Sequence, residues 1–218
     1  MSASMPAYMS DPTDEQLSAL NMAMDHKSFK VVAYAGAGKT TTLKLIGERL
    51  RGRGLYLAFN KAIANDARAK FPSHVECRTF HSLAYRHVPR DITAKLSLPR
   101  FSPKRLGDDL GLQPVKVRRR IEGSNKYITL PPARLSRFVS DAVSNFCSTH
   151  ASYPAPRHIE FPKWLDNSDA EQLREMLYPA VEQRWLQSID ARHPAGIGHD
   201  IYLKLWALSK PSIPADFI

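Results

Sequence analysis

One eight-residue segment, Ala33 to Thr40 (AYAGAGKT), constrains the fold more than any other part of the chain. It has the form Ala/Gly-x-x-x-x-Gly-Lys-Ser/Thr. It overlaps the end of a short apolar run at 29–35 that is typical of a strand, and it precedes a helical apolar pattern at 40–50. A glycine-rich turn between a strand and a helix is the setting in which this pattern binds phosphate. The segment therefore predicts a phosphate loop in an α/β fold.

Each part of the loop has its own chemistry. Gly36 and Gly38 let the backbone turn so that successive N–H groups point at phosphates. The ammonium of Lys39 reaches the β- and γ-phosphates, and the hydroxyl of Thr40 is placed to hold Mg²⁺. We therefore predict ATP and Mg²⁺ as cofactors, with Lys39 and Thr40 as catalytic residues. The predicted ATP contacts of the loop are Ala35, Gly36, Ala37, Gly38, Lys39, Thr40 and Thr41.

Strand and helix patterns continue to alternate after the loop. Strands are predicted at 55–60 and 75–79, and helices at 61–71 and from 80 to 87. Short connections between alternating strands and helices indicate a parallel sheet covered by helices. A capping-box pattern, Thr13 followed by Gln16, predicts an additional helix before the loop.

The pattern changes at about residue 88, where prolines become frequent and strand patterns fade. Helical patterns recur at about 131–148, 168–190 and 198–209, so residues 88–198 are predicted to be mostly helical. Between 90 and 137 there are twelve Lys or Arg against four Asp or Glu, within a chain of net charge +10. This excess favours an anionic partner such as nucleic acid.

Composition excludes several classes of protein. The 218 residues contain no long apolar stretch, so no membrane association is expected. The first twenty residues lack a basic secretory leader, so a cytoplasmic location is predicted (nucleoid-associated if bacterial). Two cysteines without a CxxC spacing exclude a disulfide scaffold.

The phosphate loop alone does not identify the class of enzyme. The GTPase class is weakened because its base-reading motif needs an Asp that is missing from Asn60-Lys61-Ala62-Ile63. A stand-alone P-loop kinase for a small molecule remains open.

Four segments, in chain order, resemble superfamily 1 DNA helicases of the UvrD/Rep type. They are TDEQ at 13–16, AGAGKT at 35–40, FNKAIA at 59–64 and TFHSL at 79–83. The closest resemblance is to the F-box DNA helicase branch, which carries segments similar to CRTFHSLAY at 77–85 and HDxYLKLWxLSKP at 199–211. The match runs from about 11 to 87 and resumes at 199–218. Two positions depart from many UvrD/Rep relatives. Thr41 stands where many have an Arg that helps to hold adenine, which puts the family's adenine contact in doubt, and Tyr34 stands where many have Gly, which favours the F-box-like branch.

The resemblance implies roles for individual residues. Gln16 is similar to the glutamine that reads the adenine edge, which is compatible with its capping position. The residues similar to single-stranded-DNA contacts are Asn60, Lys61, Thr79, Phe80 and His81. Core packing of Phe80 and a structural role for His81 stay open. The basic triple Arg118-Arg119-Arg120 is a candidate contact for DNA phosphates, although such a run also occurs on ordinary solvated faces.

The resulting domain prediction is a disordered stretch at 1–10, an incomplete RecA-like core at 11–87 and 199–218, and a helical accessory insertion at 88–198. In the family, the segment at 214–218 leads into the acidic Walker B motif. The chain is therefore expected to be an N-terminal, truncated portion of a helicase that binds ATP and single-stranded DNA. Alone it is expected to hydrolyse little ATP and to unwind nothing.

Recombination or repair proteins are candidate partners, and the oligomeric state is open. The further alternative is a non-enzymatic remnant that holds DNA or a partner.

Overall fold

The computed structural model describes residues 12–121 and 124–218, which form a mixed α/β chain with a small parallel sheet and many helices. The described residues divide into two compact units. The α/β unit runs to Phe80 and includes Ser212–Ile218, and the helical unit is His81–Pro211. The predicted disorder of residues 1–10, and the start of the core at residue 11, lie outside the described residues.

The α/β unit contains helices α1 (Asp14–Met24), α2 (Lys39–Arg49) and α3 (Lys61–Lys70), and strands β1 (Gly54–Ala58) and β2 (Val75–Thr79). Strands β1 and β2 pair in parallel, with Gly54 opposite Val75 and Ala58 opposite Thr79. At the other edge of β1, the Leu55 N–H donates to the carbonyl of Phe217 over 3.0 Å. A single bridge from Phe217 therefore extends the sheet.

Two apolar clusters hold this unit together. In the first, Leu20 and Ala23 of α1 pack on Leu45 and Ile46 of α2, with Phe29 beside them. In the second, the sheet packs on α3 through buried side chains, which are Ala67, Val75 and Cys77, flanked by Tyr56, Phe71 and Phe217. The apolar positions of the sequence thus join each helix to its neighbour or to the sheet.

The strand predicted at 29–35 is wrong. Residues 27–34 have no regular secondary structure, and Val32 is 81% exposed. A strand exists only through hydrogen bonds to a neighbouring strand, and none of the described residues forms a ladder with this run. The apolar pattern indicated a preference for burial, but it did not supply the pairing partner.

The helical unit contains α4 (Phe80–His87, whose first residue is assigned to the α/β unit), α5 (Arg90–Ala94), α6 (Pro103–Asp109), α7 (Pro132–Cys147), α8 (Asn167–Ile189) and α9 (His199–Leu208). The three helices predicted at 131–148, 168–190 and 198–209 are confirmed as α7, α8 and α9. Their core is almost completely buried and includes Leu135, Val139 and Phe146 of α7 with Leu177, Val181 and Trp185 of α8. None of the described helices is long and apolar enough to span a bilayer.

The prediction that strands fade after residue 88 is also wrong. Strands β3 (Val115–Ile121) and β4 (Ser124–Leu130) form an antiparallel hairpin in which Val117 faces Ile128. The other edge of β3 is also paired, because the Arg120 N–H donates to the carbonyl of Trp164 over 2.7 Å. The basic run at 118–120 hid the alternation of apolar residues that indicates a strand.

Compact packing groups residues 81–87 and 199–211 with the helical unit. The sequence assigns these segments to the RecA-like core through the resemblance, and that division of domains stays a prediction. The reason for the difference is local, because side chains of α4 and α9 pack on one another. Tyr85 lies edge-on to Tyr202, with ring centroids 5.8 Å apart, and His87 lies near Trp206.

Candidate nucleotide and DNA site

The predicted phosphate loop is a tight, exposed turn that leads directly into α2. Gly36 and Gly38 adopt left-handed backbone conformations, with φ of 81° and 74°. This region strains residues that carry a Cβ atom, so glycine is required at both positions. Gly38 is the N-cap of α2 and no side chain caps this helix end. The first N–H groups of α2 therefore remain available to an anion, with the positive end of the helix dipole behind them.

The side chain of Lys39 folds back across the loop. Its ammonium donates to the carbonyl oxygens of Ala33 (3.0 Å) and Tyr34 (2.6 Å). The ammonium is thus held beside the loop backbone, and its side chain remains exposed. Thr40 and Thr41 are also exposed, whereas the buried Thr42 donates its hydroxyl to the carbonyl of Gly38. The hydroxyl of Thr40 is therefore in an accessible place, while that of Thr42 has a structural role.

Gln16 lies beside the loop as well as in its helix cap. The predicted capping box is confirmed, because the Thr13 N–H donates to Gln16 Oε1 (3.1 Å) and the Gln16 N–H donates to Thr13 Oγ1 (3.4 Å). A methyl group on Gly38 would lie only 3.2 Å from Gln16 Nε2. The amide that caps α1 is thus next to the start of α2, and Gln16, Gly38 and Lys39 form one cluster.

A cavity of about 530 Å³ adjoins this cluster. Most of its wall is apolar, with Val31, Leu43 and Tyr56 among the lining residues, and Lys39 contributes a cation to its edge. The size is in the range of small-molecule sites. The loop therefore borders a concave surface instead of projecting into open solvent on every side.

The predicted DNA contacts of the α/β unit meet at one edge of the sheet. Asn60 and Lys61 follow the carboxyl end of β1, and Thr79 and Phe80 lie at the carboxyl end of β2. Because β1 and β2 are parallel and adjacent, these ends lie side by side. Asn60 has a local task, since its Oδ1 accepts the Ile63 N–H (2.9 Å) and caps α3. Lys61 begins that helix and is exposed.

Two exposed aromatic rings share this edge. Phe80 is 48% exposed, so core packing accounts for only part of its surface. Phe59 is 90% exposed and comes directly after β1, yet the sequence reasoning did not select it as a site residue. The signal that could have found it is an aromatic residue between a buried strand and the Asn-Lys pair. Exposed aromatic rings next to a lysine are what single-stranded nucleic acid needs for base stacking and phosphate contact.

His81 belongs to the helical unit and lies in a cluster formed by α4 and α9. Its Nε2 is 3.9 Å from the carboxylate of Asp200. The rings of His199 and Tyr202 lie edge-on to the His81 ring, at centroid distances of 6.2 and 6.1 Å. The HDxYLKLW segment therefore surrounds the His81 side chain, which remains 43% exposed. A structural role and a DNA contact are both compatible with this placement.

The three arginines of the basic triple have different surroundings. The guanidinium of Arg118 pairs with Asp169 (2.7 Å) and Asp166 (2.9 Å). These contacts raise the pKa of Arg118 and hold the pKa of Asp169 below its ordinary value, chiefly through the hydrogen bond between the two side chains. Arg119 lies near the Trp164 ring, and Arg120 is exposed. Their contact with DNA stays a prediction, but the triple is not one continuous patch.

The residues present fit a magnesium-bound nucleoside triphosphate better than a metal held by protein alone. In the ranges 12–121 and 124–218, no group of three or more His, Cys, Asp or Glu residues is placed to hold a metal ion. The uncapped amides of α2, the ammonium of Lys39 and the exposed hydroxyl of Thr40 instead suit a polyphosphate that brings its own Mg²⁺.

Comparison with known proteins relates the chain to DNA helicases. It is 31% identical over 217 aligned positions to F-box DNA helicase 1 of Gallus gallus, covering 92% of this chain and 20% of that protein. It is 49% identical over 57 positions to F-box DNA helicase protein 1 of Schizosaccharomyces pombe, covering 26% of this chain and 6% of that protein. The chain thus spans about a fifth or less of these relatives. No protein-family model matches the chain, and no solved structure matches it.

Proposed function

We propose that this chain binds ATP with Mg²⁺ at the loop 33–40 and single-stranded DNA at the edge formed by β1 and β2. The whole-protein activity is ATP-dependent translocation on, or unwinding of, DNA by a helicase of the UvrD/Rep type. One observation carries the nucleotide part of this proposal. The start of α2, which Lys39 forms, is exposed and has no side-chain cap, lies beside the amide of Gln16, and follows two left-handed glycines.

The roles of the loop residues follow from their positions. Lys39 exchanges the carbonyls of Ala33 and Tyr34 for phosphate oxygens, which are stronger acceptors because they are charged. The backbone N–H groups at the start of α2 bind the same phosphates, and Thr40 helps to hold Mg²⁺. Gln16 offers both a donor and an acceptor to an adenine edge. Bound ATP would supply the phosphoanhydride whose hydrolysis drives movement along DNA.

The DNA part of the proposal is supported by the sheet edge and by the names of the relatives. Phe59 and Phe80 offer exposed rings for stacking, and Lys61 offers a cation for the backbone. Ligands of open α/β sheets bind outside the carboxyl ends of the strands. That edge would therefore bind DNA while the loop 33–40 binds nucleotide.

The alternatives are not favoured. A small-molecule kinase would leave the two exposed aromatic rings at the sheet edge without a purpose, and the relatives carry the name of DNA helicases. A remnant that binds DNA without nucleotide would not need two left-handed glycines before an uncapped helix. Neither alternative has a specific observation in its favour.

Binding of a fluorescent ATP analogue tests the proposal through Lys39→Ala. We expect the affinity to fall at least tenfold, because the variant loses the only cationic side chain of the loop 33–40. Lys44→Ala is the matched control, since Lys44 lies on the same helix and pairs with Glu48 at 3.5 Å on its surface. It should bind within about twofold of the unaltered protein, because such exposed pairs contribute only about 0.3–0.5 kcal/mol. Equal binding by all three proteins would show that the loop does not hold nucleotide.

A further inference from the structure

The hairpin of the helical unit has two chemically different faces. Side chains alternate along a strand, so residues at even positions of β3 point to one side and those at odd positions to the other. On the odd-numbered side, Val117 is 1% exposed, and Leu130 of β4 on the same side is 4% exposed. This side packs against the unit. Register places Arg118 opposite Tyr127 on the other side.

We use the name hairpin outer face for that other side, which consists of Lys116, Arg118, Arg120, Tyr127 and Thr129. Three basic residues follow one another along β3 at intervals of about 7 Å, the distance between alternate residues of a strand. The ring of Tyr127 is 60% exposed among them. Lys116 lies close to that ring, with its Nζ 5.0 Å from the centroid.

The hairpin outer face is held in a fixed position by Arg118. Besides its ion pairs with Asp166 and Asp169, Arg118 donates its backbone N–H to a carboxylate oxygen of Asp169. Asp166 in turn caps α8 through the N–H groups of Ser168 and Asp169. Arg118 is therefore a positioning residue, because its charge is committed to the two carboxylates while its contacts anchor β3 to α8.

Within the hairpin outer face, the cations that remain for a ligand are Lys116 and Arg120. Both are exposed, and neither forms an ion pair with a residue in the described ranges. Arg119 lies opposite Lys126 in the register, on the same side of the hairpin as Val117, and its guanidinium lies near the Trp164 ring. The basic triple thus contributes Arg120 to the hairpin outer face, whereas Lys116 and Tyr127 were not selected from the sequence.

We infer that the hairpin outer face is a second contact surface for single-stranded DNA, with Tyr127 stacking on a base and with Lys116 and Arg120 binding the flanking phosphates. The inference rests on the proposed DNA-binding function and assigns part of it to the helical unit. An exposed ring on a flat strand surface can stack only on a base that is not already paired and stacked, which selects a single strand over a duplex. The two unpaired cations give the charge complementarity.

The test is the affinity of the full chain for a fluorescein-labelled oligothymidylate, measured by fluorescence anisotropy. Tyr127→Thr removes the ring and keeps a residue that suits a strand. We expect about tenfold weaker binding, which corresponds to about 1.4 kcal/mol and lies within the range for one stacked base. Tyr127→Phe should bind like the unaltered protein, because it retains the ring. Affinity for a blunt duplex of the same length should not change.

Two matched controls separate the hairpin outer face from general surface effects. Tyr153→Thr removes another exposed tyrosine of the helical unit, 78% exposed, and should leave binding unchanged. Lys116→Gln and Arg120→Gln should each flatten the salt dependence of binding, by about 0.7 in the slope of log affinity against log salt for each lost phosphate contact on a single strand. Lys104→Gln, at an exposed lysine of α6, should not flatten it.

The inference would be overturned by either of two results. In one, Tyr127→Thr binds the oligonucleotide as tightly as the unaltered protein, which would leave the face for another partner such as an acidic protein. In the other, Tyr127→Thr loses affinity for the single strand and for the duplex equally.

Nucleotide binding measured on the same variants distinguishes failure of the hairpin proposal from failure of the nucleotide proposal. A Lys39-dependent affinity for ATP without any effect of Tyr127 refutes only the hairpin surface. Tyr127-dependent DNA binding without ATP binding refutes only the nucleotide site.

Discussion

Phe59 and Phe80 allow fold stability and DNA affinity to be separated at the sheet edge. The perturbation is replacement of each ring by alanine, singly. The two rings differ in exposure, at 90% for Phe59 and 48% for Phe80. Their contributions to stability should therefore differ, although both are proposed to stack on bases.

The expected stability losses follow from the covered area. A phenylalanine side chain has about 200 Å² of surface, of which about half is covered in Phe80 and about a tenth in Phe59. At about 25 cal/mol per Å², these areas correspond to upper limits of about 2.5 kcal/mol for Phe80→Ala and about 0.5 kcal/mol for Phe59→Ala. Urea unfolding measures both. Phe59→Ala should be nearly as stable as the unaltered protein.

The affinity losses should not follow the stability losses. Stacking on a base is worth about 1–3 kcal/mol, so each variant should bind a labelled oligothymidylate about 5- to 150-fold more weakly. Phe59→Ala is the more informative variant because it leaves the fold intact. The reasoning is refuted if Phe59→Ala binds DNA normally. It is refuted as well if this variant loses more than about 1 kcal/mol of stability, because the ring would then be part of the core.

Two further predictions concern groups whose pKa is displaced. Burial raises the pKa of the Cys147 thiol to about 12 and also raises that of Cys77, so neither should react with a thiol reagent at pH 8 until the chain unfolds. Rapid labelling of the native protein would contradict this. The hydrogen bond from Arg118 lowers the pKa of Asp169, so the pair stabilises the fold above the ordinary carboxyl pKa and loses this effect as the pH falls through the lowered value. Asp169→Asn should therefore have a lower Tm than the unaltered protein at pH 7, and its Tm should decrease less on acidification. Parallel curves of Tm against pH for the two proteins would contradict the ion pair.

The sequence predicts best where a pattern and its partner lie close together in the chain. The strand at 75–79 and the helix at 80–87 have the predicted bounds, and α3 ends one residue before its predicted end. The capping box predicted at Thr13 and Gln16 is confirmed, because both of its hydrogen bonds are present. In these cases local hydrogen bonding and apolar periodicity indicate the same structure, so no distant information is needed.

Prediction fails where the outcome depends on distant residues. The run at 29–35 is apolar, but no described strand pairs with it, and apolar periodicity does not contain that information. The hairpin was missed because Arg119 stands at a position where the alternation of a strand calls for an apolar residue. Its guanidinium lies near the ring of Trp164, which is 45 positions away in the chain. For a related reason, the sequence pattern does not distinguish the three arginines at 118–120 from one another. Only the structure shows that Asp169 binds Arg118 and leaves Arg120 exposed.

The discontinuous α/β unit has a consequence for the order in which the protein folds during synthesis. Arg53 and Asp216, which flank the bridge at the outer edge of β1, are 163 positions apart. At about 5–20 residues per second, a ribosome needs on the order of 10–30 s to make that stretch. The edge of β1 that Phe217 later covers remains unpaired throughout this interval. The helical unit, which has its own core, is complete earlier and can fold first. The nascent chain is therefore open to edge-to-edge association until residue 217 leaves the ribosome.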